Sequence, residues 1–576
     1  MAKKYELIKS VYDTNRNLIG YIAKDELGHN IELSLSQAFN LADMSMITNA
    51  RLGSSKHKPG LVGVNADLRT LKHITKNNKP IKELFCKVGR EAITSAQRLT
   101  KDFPGRRDCI VDLNRYMSDT SSRKVCCVYG LRRTGKTILM LQSLLDLHRE
   151  DVAFMVVSSK DSMNSVVHKI SQLVSAGIEN IYIDEITNAV GFLDGVSILA
   201  DGYTAMGVHI VISGTDSYML DMASKSELYD RMFKINTSYI SYKEFKRLVR
   251  NTDVMDYIRL GGVLVPSTFY DENSTREYIS TSIVDNIIKS LERTSSSRYR
   301  EIKSLNQKGL LRKAIEQAIK NTNTRLIATM LIAPYEDGIG SAMQMLGNRL
   351  GITDTFDEEE VYQKLREALG VDKEMSILEA SGCLDELTDF LEELGVLKTY
   401  NRYTYGRKKA KSPIDEISLF VQPGLRYRQT LILIECLMKT LSFYSLSAKA
   451  REMMHNKIIE DVEGQILEQV VIMDSLMRYE KAGVEVWQFR YNDGSREIDM
   501  VLKTGDGLVL YEIKRSDKQV DKQYRHLVSK EVADVLNYTL GGDVKERIVL
   551  YNGKSSDIAV DDTCVHYRNI SAYLNR

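Results

Sequence analysis

Gly130-Leu-Arg-Arg-Thr-Gly135-Lys136-Thr137 has the spacing G-x-x-x-x-G-K-[ST]. It follows the apolar run Val125 to Tyr129 and opens a helical pattern. A loop in that setting turns successive backbone N–H groups toward a phosphate, at the positive end of a helix dipole. Those groups belong to Gly130, Arg133, Thr134, Gly135, Lys136, Thr137 and Ile138. Lys136 is expected on the β and γ phosphates, and Thr137 is expected to offer its hydroxyl to Mg²⁺. A second apolar run ends in Asp184-Glu185. Asp184 is expected to hold Mg²⁺, and Glu185 to orient and polarise the attacking water. A third, Val208 to Ile212, leads into Ser213, Thr215 and Asp216, which are expected either at the γ-phosphate edge or as turn and helix-cap residues. The guanine-reading pattern N-K-x-D is absent downstream of the loop, so the expected nucleotide is ATP.

A second constellation lies near the C-terminus. If Thr504 to Gly507 form a four-residue turn, cross-strand partners sum to 1011. Asp499 then opposes Glu512, and Glu497 opposes Lys514. Alternation places Ile498, Met500 and Leu502 with Val509, Tyr511 and Ile513 on one apolar face, and the four charged residues on the other. Two directly opposed carboxylates repel, and a divalent cation resolves that conflict. Asp499 and Glu512 are therefore candidate metal ligands, with Lys514 placed to hold a water or stabilise charge on a phosphorane. The alternative is a solvated face on which Lys514 bridges Glu497 and Glu512.

Arg402, Arg407, Lys408, Lys409 and Lys411 fall in an acid-free stretch from Thr399 to Pro413, interleaved with Tyr400, Tyr403 and Tyr405. On a hairpin they would give phosphate contacts and stacking surfaces for DNA. A soluble hairpin tip, or a surface for a protein partner, fits the same residues.

The elements that must carry these groups follow from periodicity. With 576 residues, the chain exceeds one hydrophobic core. Residues 1–85 read as a small β-rich module. Residues 90–265 alternate buried strands with amphipathic helices, as in a parallel sheet covered by helices. Residues 266–380 are helical, 381–450 read as a helix followed by a two-stranded wing, and 451–576 are again α/β. The fold class is multidomain α/β. Lys plus Arg number 79 against 77 Asp plus Glu, so the balance argues for neither nucleic acid nor membrane, and local patches must carry any such role. Seven scattered cysteines without a C-x-x-C spacing, and no apolar stretch of spanning length, point to a cytoplasmic protein without disulfides or membrane helices.

With these residues in view, positions 126 to 245 resemble the prokaryotic AAA-type ATPases of the archaeal ATPase superfamily, through GLRRTGKT, IYIDEI, ISGTDS and LYDRMFKINTSYISYKEF. The resemblance implies that Arg231 senses the γ-phosphate of its own or a neighbouring subunit, the latter requiring a homo-oligomer. Asp230 stands where relatives commonly carry Gly, and Arg231 has a surface pairing with Asp230 or Glu227 as its alternative. EGQILEQ, REIDMVL and LYEIKRSDK are similar to the PD-(D/E)XK restriction-endonuclease-like domain fused behind this ATPase type, and FVQPGLRY to the end of its winged-helix region. That likeness implies Asp499 and Glu512 as metal ligands, Lys514 as the catalytic lysine and Glu468 as an accessory acid.

Overall fold

The structure, a computed structural model, describes residues 6–12, 18–24, 30–34, 86–249, 252–293, 299–331, 365–367, 383–406, 413–439, 448–480, 482–491 and 496–576. Strands β1 (Glu6–Tyr12), β2 (Leu18–Lys24) and β3 (Asn30–Ser34) form an antiparallel meander. Most of the segment 332–382, and with it nearly all of the helical pattern at 358–369, lies outside the described residues.

The next sheet consists of β4 (Cys86–Val88), β5 (Val125–Tyr129), β6 (Val152–Val156), β7 (Asn180–Asp184), β8 (His209–Gly214) and β9 (Met232–Asn236), in the order β4-β6-β7-β8-β5-β9. Only β4 runs antiparallel to its neighbour. Its central strands are apolar on both faces because helices cover both. One face packs Cys126, Val128, Phe154 and Tyr182 against Leu139, Met140 and Leu144. The other packs Ile181, Ile183, Ile210 and Ile212 against Val166, Ile170 and Phe192. In a parallel sheet every C-terminal strand end lies on one edge, which brings the loops after β5, β7 and β8 together.

The second sheet holds β10 (Leu397–Tyr405), β11 (Ile414–Phe420), β12 (Glu485–Tyr491), β13 (Arg496–Thr504), β14 (Gly507–Ile513), β15 (Val544–Tyr551), β16 (Ser556–Val560) and β17 (Thr563–Asn569). Their order is β11-β10-β12-β13-β14-β15-β17-β16. The β10–β11 hairpin, read from sequence as a two-stranded wing, continues into this sheet as its edge, with β10 running parallel to β12. The boundary expected near residue 450 falls inside one helix, Ala448–Tyr479. Pattern alone could not show this, because a hairpin has the same alternation whether its outer edge is open or paired.

The turn arithmetic is obeyed from Met500↔Tyr511 to Thr504↔Gly507. One expected face assignment is corrected. Met500, Leu502, Tyr511 and Ile513 pack on the inner face, but Ile498 packs on the other, with Phe489, Val501 and Leu510. The cause is an irregularity in the β12–β13 ladder, where Trp487 pairs with Val501 but Phe489 with Ile498. An extra residue in one strand reverses the alternation beyond it.

A large apolar core joins the two sheet regions. It takes in Leu131, Ile240, Phe245 and Tyr257, the helical segments through Ile319, the Ala448–Tyr479 helix from Met454 to Met473, and Met500, Leu550 and Leu574. Polar contacts cross the same junction. The Tyr239 hydroxyl donates to Asp474 at 3.1 Å, and Glu463, 3 % exposed, accepts from Arg259 at 2.7 Å on one oxygen and from Arg515 at 2.7 Å on the other. Among the described residues no helix is long and apolar enough to cross a membrane.

Candidate functional site

The loop after β5 turns on glycines that nothing else can replace. Gly130 has φ +142°, and a Cβ there would stand 2.9 Å from the Ser238 backbone nitrogen. Gly135, at φ +87°, caps the Lys136–Asp146 helix in the left-handed region. Arg133 adopts φ 66° without being glycine. Such a conformation persists only where its surroundings hold it. Here its carbonyl accepts from Leu264 N–H at 2.8 Å, and its guanidinium donates to Thr268 Oγ1 at 2.8 Å. Thr134 is buried, and Ile138 lies in the first turn of the helix.

Lys136 is buried, with Nζ donating to the carbonyls of Gly130 and Leu131 at 2.8 and 2.9 Å. Burial lowers its pKa, while Glu185 and Asp184 pull it back up. Thr137 Oγ1 donates to Asp184 Oδ2 at 2.6 Å, and Ser213 from the intervening strand β8 donates to Asp184 Oδ1. A hydroxyl and a carboxylate thus meet beside the phosphate loop, and this donor set suits Mg²⁺ that also takes phosphate oxygens. Glu185 follows at φ 57°. Burial, and then the charge of Asp184, push its carboxyl up, opposed by Lys136 and Arg132. Thr215 Oγ1 donates to Glu185 Oε2 at 3.3 Å.

Asp216 takes the helix-cap reading left open for it, and Arg231 a surface pairing. Asp216 caps the Ser217–Lys225 helix by accepting from Met219 N–H at 3.0 Å and also accepts from Ser290 at 2.7 Å. Burial pushes its carboxyl up to about 6. Arg231 pairs with Asp201 and the Glu227 carbonyl, while Asp230 pairs with Lys124. It precedes β9, and β9 runs parallel to β5. Arg231 therefore stands at the sheet edge opposite the phosphate loop.

Arg107 was not singled out by its sequence setting. It is 4 % exposed and pairs with Glu244 at 2.6 Å. Its other donors reach the Thr134 carbonyl of the phosphate loop, the Thr237 carbonyl at 3.2 Å and the Tyr239 carbonyl at 2.8 Å. One side chain thereby ties the phosphate loop to the turn after β9. No spacing signals such a partner 137 residues away. Arg107→Leu strands Glu244 in the interior, so unfolding by denaturant should show a loss of about 3–5 kcal/mol. Adding Glu244→Leu should return much of it, and a single variant as stable as wild type would refute the pairing.

In the second sheet the ladder parts where chemistry was expected. Asp499 Oδ2 accepts from the Ile513 N–H at 2.7 Å, so the side chain takes the place of a ladder carbonyl. Lys514 Nζ lies 2.7 Å from Glu512 Oε1 and 3.4 Å from Asp499 Oδ2. Of the alternative bridge, Lys514 meets Glu512 but not, among the described residues, Glu497, which accepts from Arg490 at 3.0 Å. Glu468 accepts from Gln488 at 2.9 Å, and Gln488 in turn accepts from the Tyr400 hydroxyl at 3.0 Å. Burial, then Asp499, push Glu512 up to about 8, and Glu468 rises for the same reasons. Burial opposes the charge on Lys514, but Asp499 and Glu512 outweigh it and raise its pKa.

Glu512 Oε2 is buried without a hydrogen-bond partner. An orphaned carboxylate oxygen beside a second carboxylate fits a divalent cation that takes its remaining ligands from water and phosphate. Among the described residues no group of three or more His, Cys, Asp or Glu side chains could share one ion, so the protein's share would be these two carboxylates. Arg402 lies on β10, one strand in from the sheet edge, between Asp415 and Gln488, while Arg407, Lys408, Lys409 and Lys411 lie outside the described residues.

The C-terminal residues 463–572 match a family described as a domain of unknown function, DUF4143. The chain is 24% identical over 204 residues to the uncharacterized protein MJ1544 of Methanocaldococcus jannaschii, covering 32% of this chain and 45% of that protein. It thus spans less than half the length of that curated relative. A likeness to the S. cerevisiae Hsp104-ADP complex has a TM-score of 0.26 and 11% identity over 69% of this chain and 61% of the Hsp104 chain, too low to fix fold or function. Residues 122–246 match the family described as an AAA domain, and with the phosphate loop, Asp184 and Glu185 on one sheet edge they are an AAA-type P-loop ATPase domain.

Proposed function

We propose that the AAA domain binds and hydrolyses ATP with Mg²⁺, and that the C-terminal sheet carries a metal-dependent nuclease site acting on DNA engaged along the β10–β11 edge. The observation that carries the first half is the 2.6 Å hydrogen bond between Thr137 and Asp184, with Glu185 next in the chain. Bound Mg²⁺ would neutralise charge on the β and γ phosphates. The loop amides bind and orient those phosphates, and Lys136 exchanges its two loop carbonyls for phosphate oxygens. Glu185 takes the proton of the attacking water on a carboxylate oxygen, and Thr215 holds that carboxylate in place. Lys136→Ala should abolish both binding of a fluorescent ATP analogue and phosphate release. Retention of both at wild-type level would overturn the assignment.

The nuclease half rests on Asp499, Glu512 and Lys514 standing together, with Glu468 on the adjoining helix. A second reading has support of its own. Asp499 Oδ2 already accepts from Ile513 N–H and stands 3.4 Å from Lys514, which suits a rigid binding scaffold whose affinity for a protein partner follows the nucleotide state. ATP-dependent capture of such a partner, with no phosphodiester cleavage under any divalent metal, would favour that reading.

A further inference from the structure

Glu468, which feels the charges of Asp499 and Glu497, accepts from Gln488 on β12, and what stands beside Gln488 toward the hairpin is cationic. Register pairs Arg402 with Gln488 and Arg490 with Glu497. Gln488 is the residue that reaches Glu468, so Arg402, Arg490 and Glu497 share its face. Adjacent strands lie about 4.8 Å apart, which puts Arg490 one strand and Arg402 two strands from Asp499. Both side chains are largely buried, at 20% and 16% exposure. Two guanidinium groups set close together in a partly buried position repel each other. Arg490 is held by Glu497 at 3.0 Å. Among the described residues Arg402 has only a long contact to Asp415 at 3.5 Å, and its Nε is buried without a hydrogen-bond partner. Burial, and then the neighbouring Arg490, lower its pKa. An anion between the two would fill that donor and relieve the repulsion, as a cation does for the carboxylate pair beside it.

We propose that Arg402 and Arg490 form a phosphate subsite that seats a DNA backbone phosphate adjacent to the one placed at Asp499, Glu512 and Lys514. The subsite rests on the nuclease reading for its neighbour but on its own geometry for its ligand. Contacts of this kind position a strand without reading its sequence.

The test is binding of a fluorescent DNA duplex by the full chain across a salt series without divalent metal, comparing wild type with Arg402→Ala/Arg490→Ala. The double variant should bind at least about tenfold more weakly, and the slope of log affinity against log salt should fall by about two. Arg402→Lys/Arg490→Lys, which keeps charge but not the planar fork, should retain the slope and recover part of the affinity. ATP hydrolysis at the wild-type rate certifies that the variants are folded. Unchanged affinity and slope in the alanine variant would overturn the subsite, as would wild type that binds no DNA or binds RNA in preference. Wild type that binds DNA through these arginines yet never cuts it would leave the subsite standing and remove the nuclease reading. Cutting with an unchanged KM in the alanine variant would do the reverse.

Discussion

Glu185→Gln is expected to keep ATP binding and to slow hydrolysis by about 10²–10⁴-fold, the range a positioned general base contributes. The replacement is close to isosteric. It keeps an acceptor for Thr215 Oγ1, now 3.3 Å from Glu185 Oε2, and it inherits the same φ of 57° without new backbone strain. What it removes is the ability to take a proton from water. It also removes a negative charge near Lys136, so nucleotide affinity should hold or tighten. The pH dependence gives a second readout. Burial and Asp184 raise the Glu185 carboxyl above its ordinary value, so wild-type hydrolysis should climb as pH rises through that elevated value, and the variant should lose this limb. Stability runs the other way. The folded state holds the proton more tightly than the unfolded chain, so wild-type stability declines as pH rises from the unfolded carboxyl value to the folded one. Glutamine escapes that decline, and the variant should melt higher than wild type at alkaline pH. Wild-type turnover by the variant would remove Glu185 from its role.

Asp499→Asn is the second large effect, an expected loss of metal-dependent cleavage of supercoiled plasmid by at least about a hundredfold. Asparagine suits this test better than alanine. Its carbonyl oxygen can still accept from the Ile513 N–H, a bond of 2.7 Å in the native chain, so the parting of β13 and β14 is preserved while the charge is lost. Wild-type cleavage should rise with pH through the Glu512 value of about 8 and level off above it, because a metal ligand must first lose its proton. Glu512→Gln should abolish cleavage and the pH dependence together. Cleavage by Asp499→Asn at the wild-type rate would place the chemistry elsewhere. Absence of cleavage by wild type would shift the function to the scaffold reading.

Much of this was legible in the residues because the information was local. The phosphate loop, the Asp184-Glu185 pair and the register of the Thr504 turn are fixed by neighbours in sequence, and each stands where short-range geometry put it. The misjudged features depend on distant strands. Whether β10–β11 stands free is decided by β12, some 80 residues later, and the flip of Ile498 by a bulge against that same strand. Arg231 sits in a segment with a recognisable pattern, but its end of β9 is set by the direction of a parallel sheet. Arg107 and Arg490 become visible only when Glu244 and Glu497 are brought to them.

The Ala448–Tyr479 helix has a thermodynamic consequence of its own. It packs in the same core as Leu131 of the phosphate loop and Met500 of the second sheet, and Glu463 on it is shared by Arg259 and Arg515. Pulling this junction apart exposes apolar area on both sides, so the AAA domain and the C-terminal sheet should melt in a single cooperative step. Mass action then reaches across the junction. A nucleotide bound to the folded AAA domain at about a hundred times its Kd stabilises the whole unit by about 2.7 kcal/mol. Backbone amides of the far sheet that exchange only through this shared unfolding would then exchange more slowly with nucleotide bound, even where not one atom of the carboxylate site changes position.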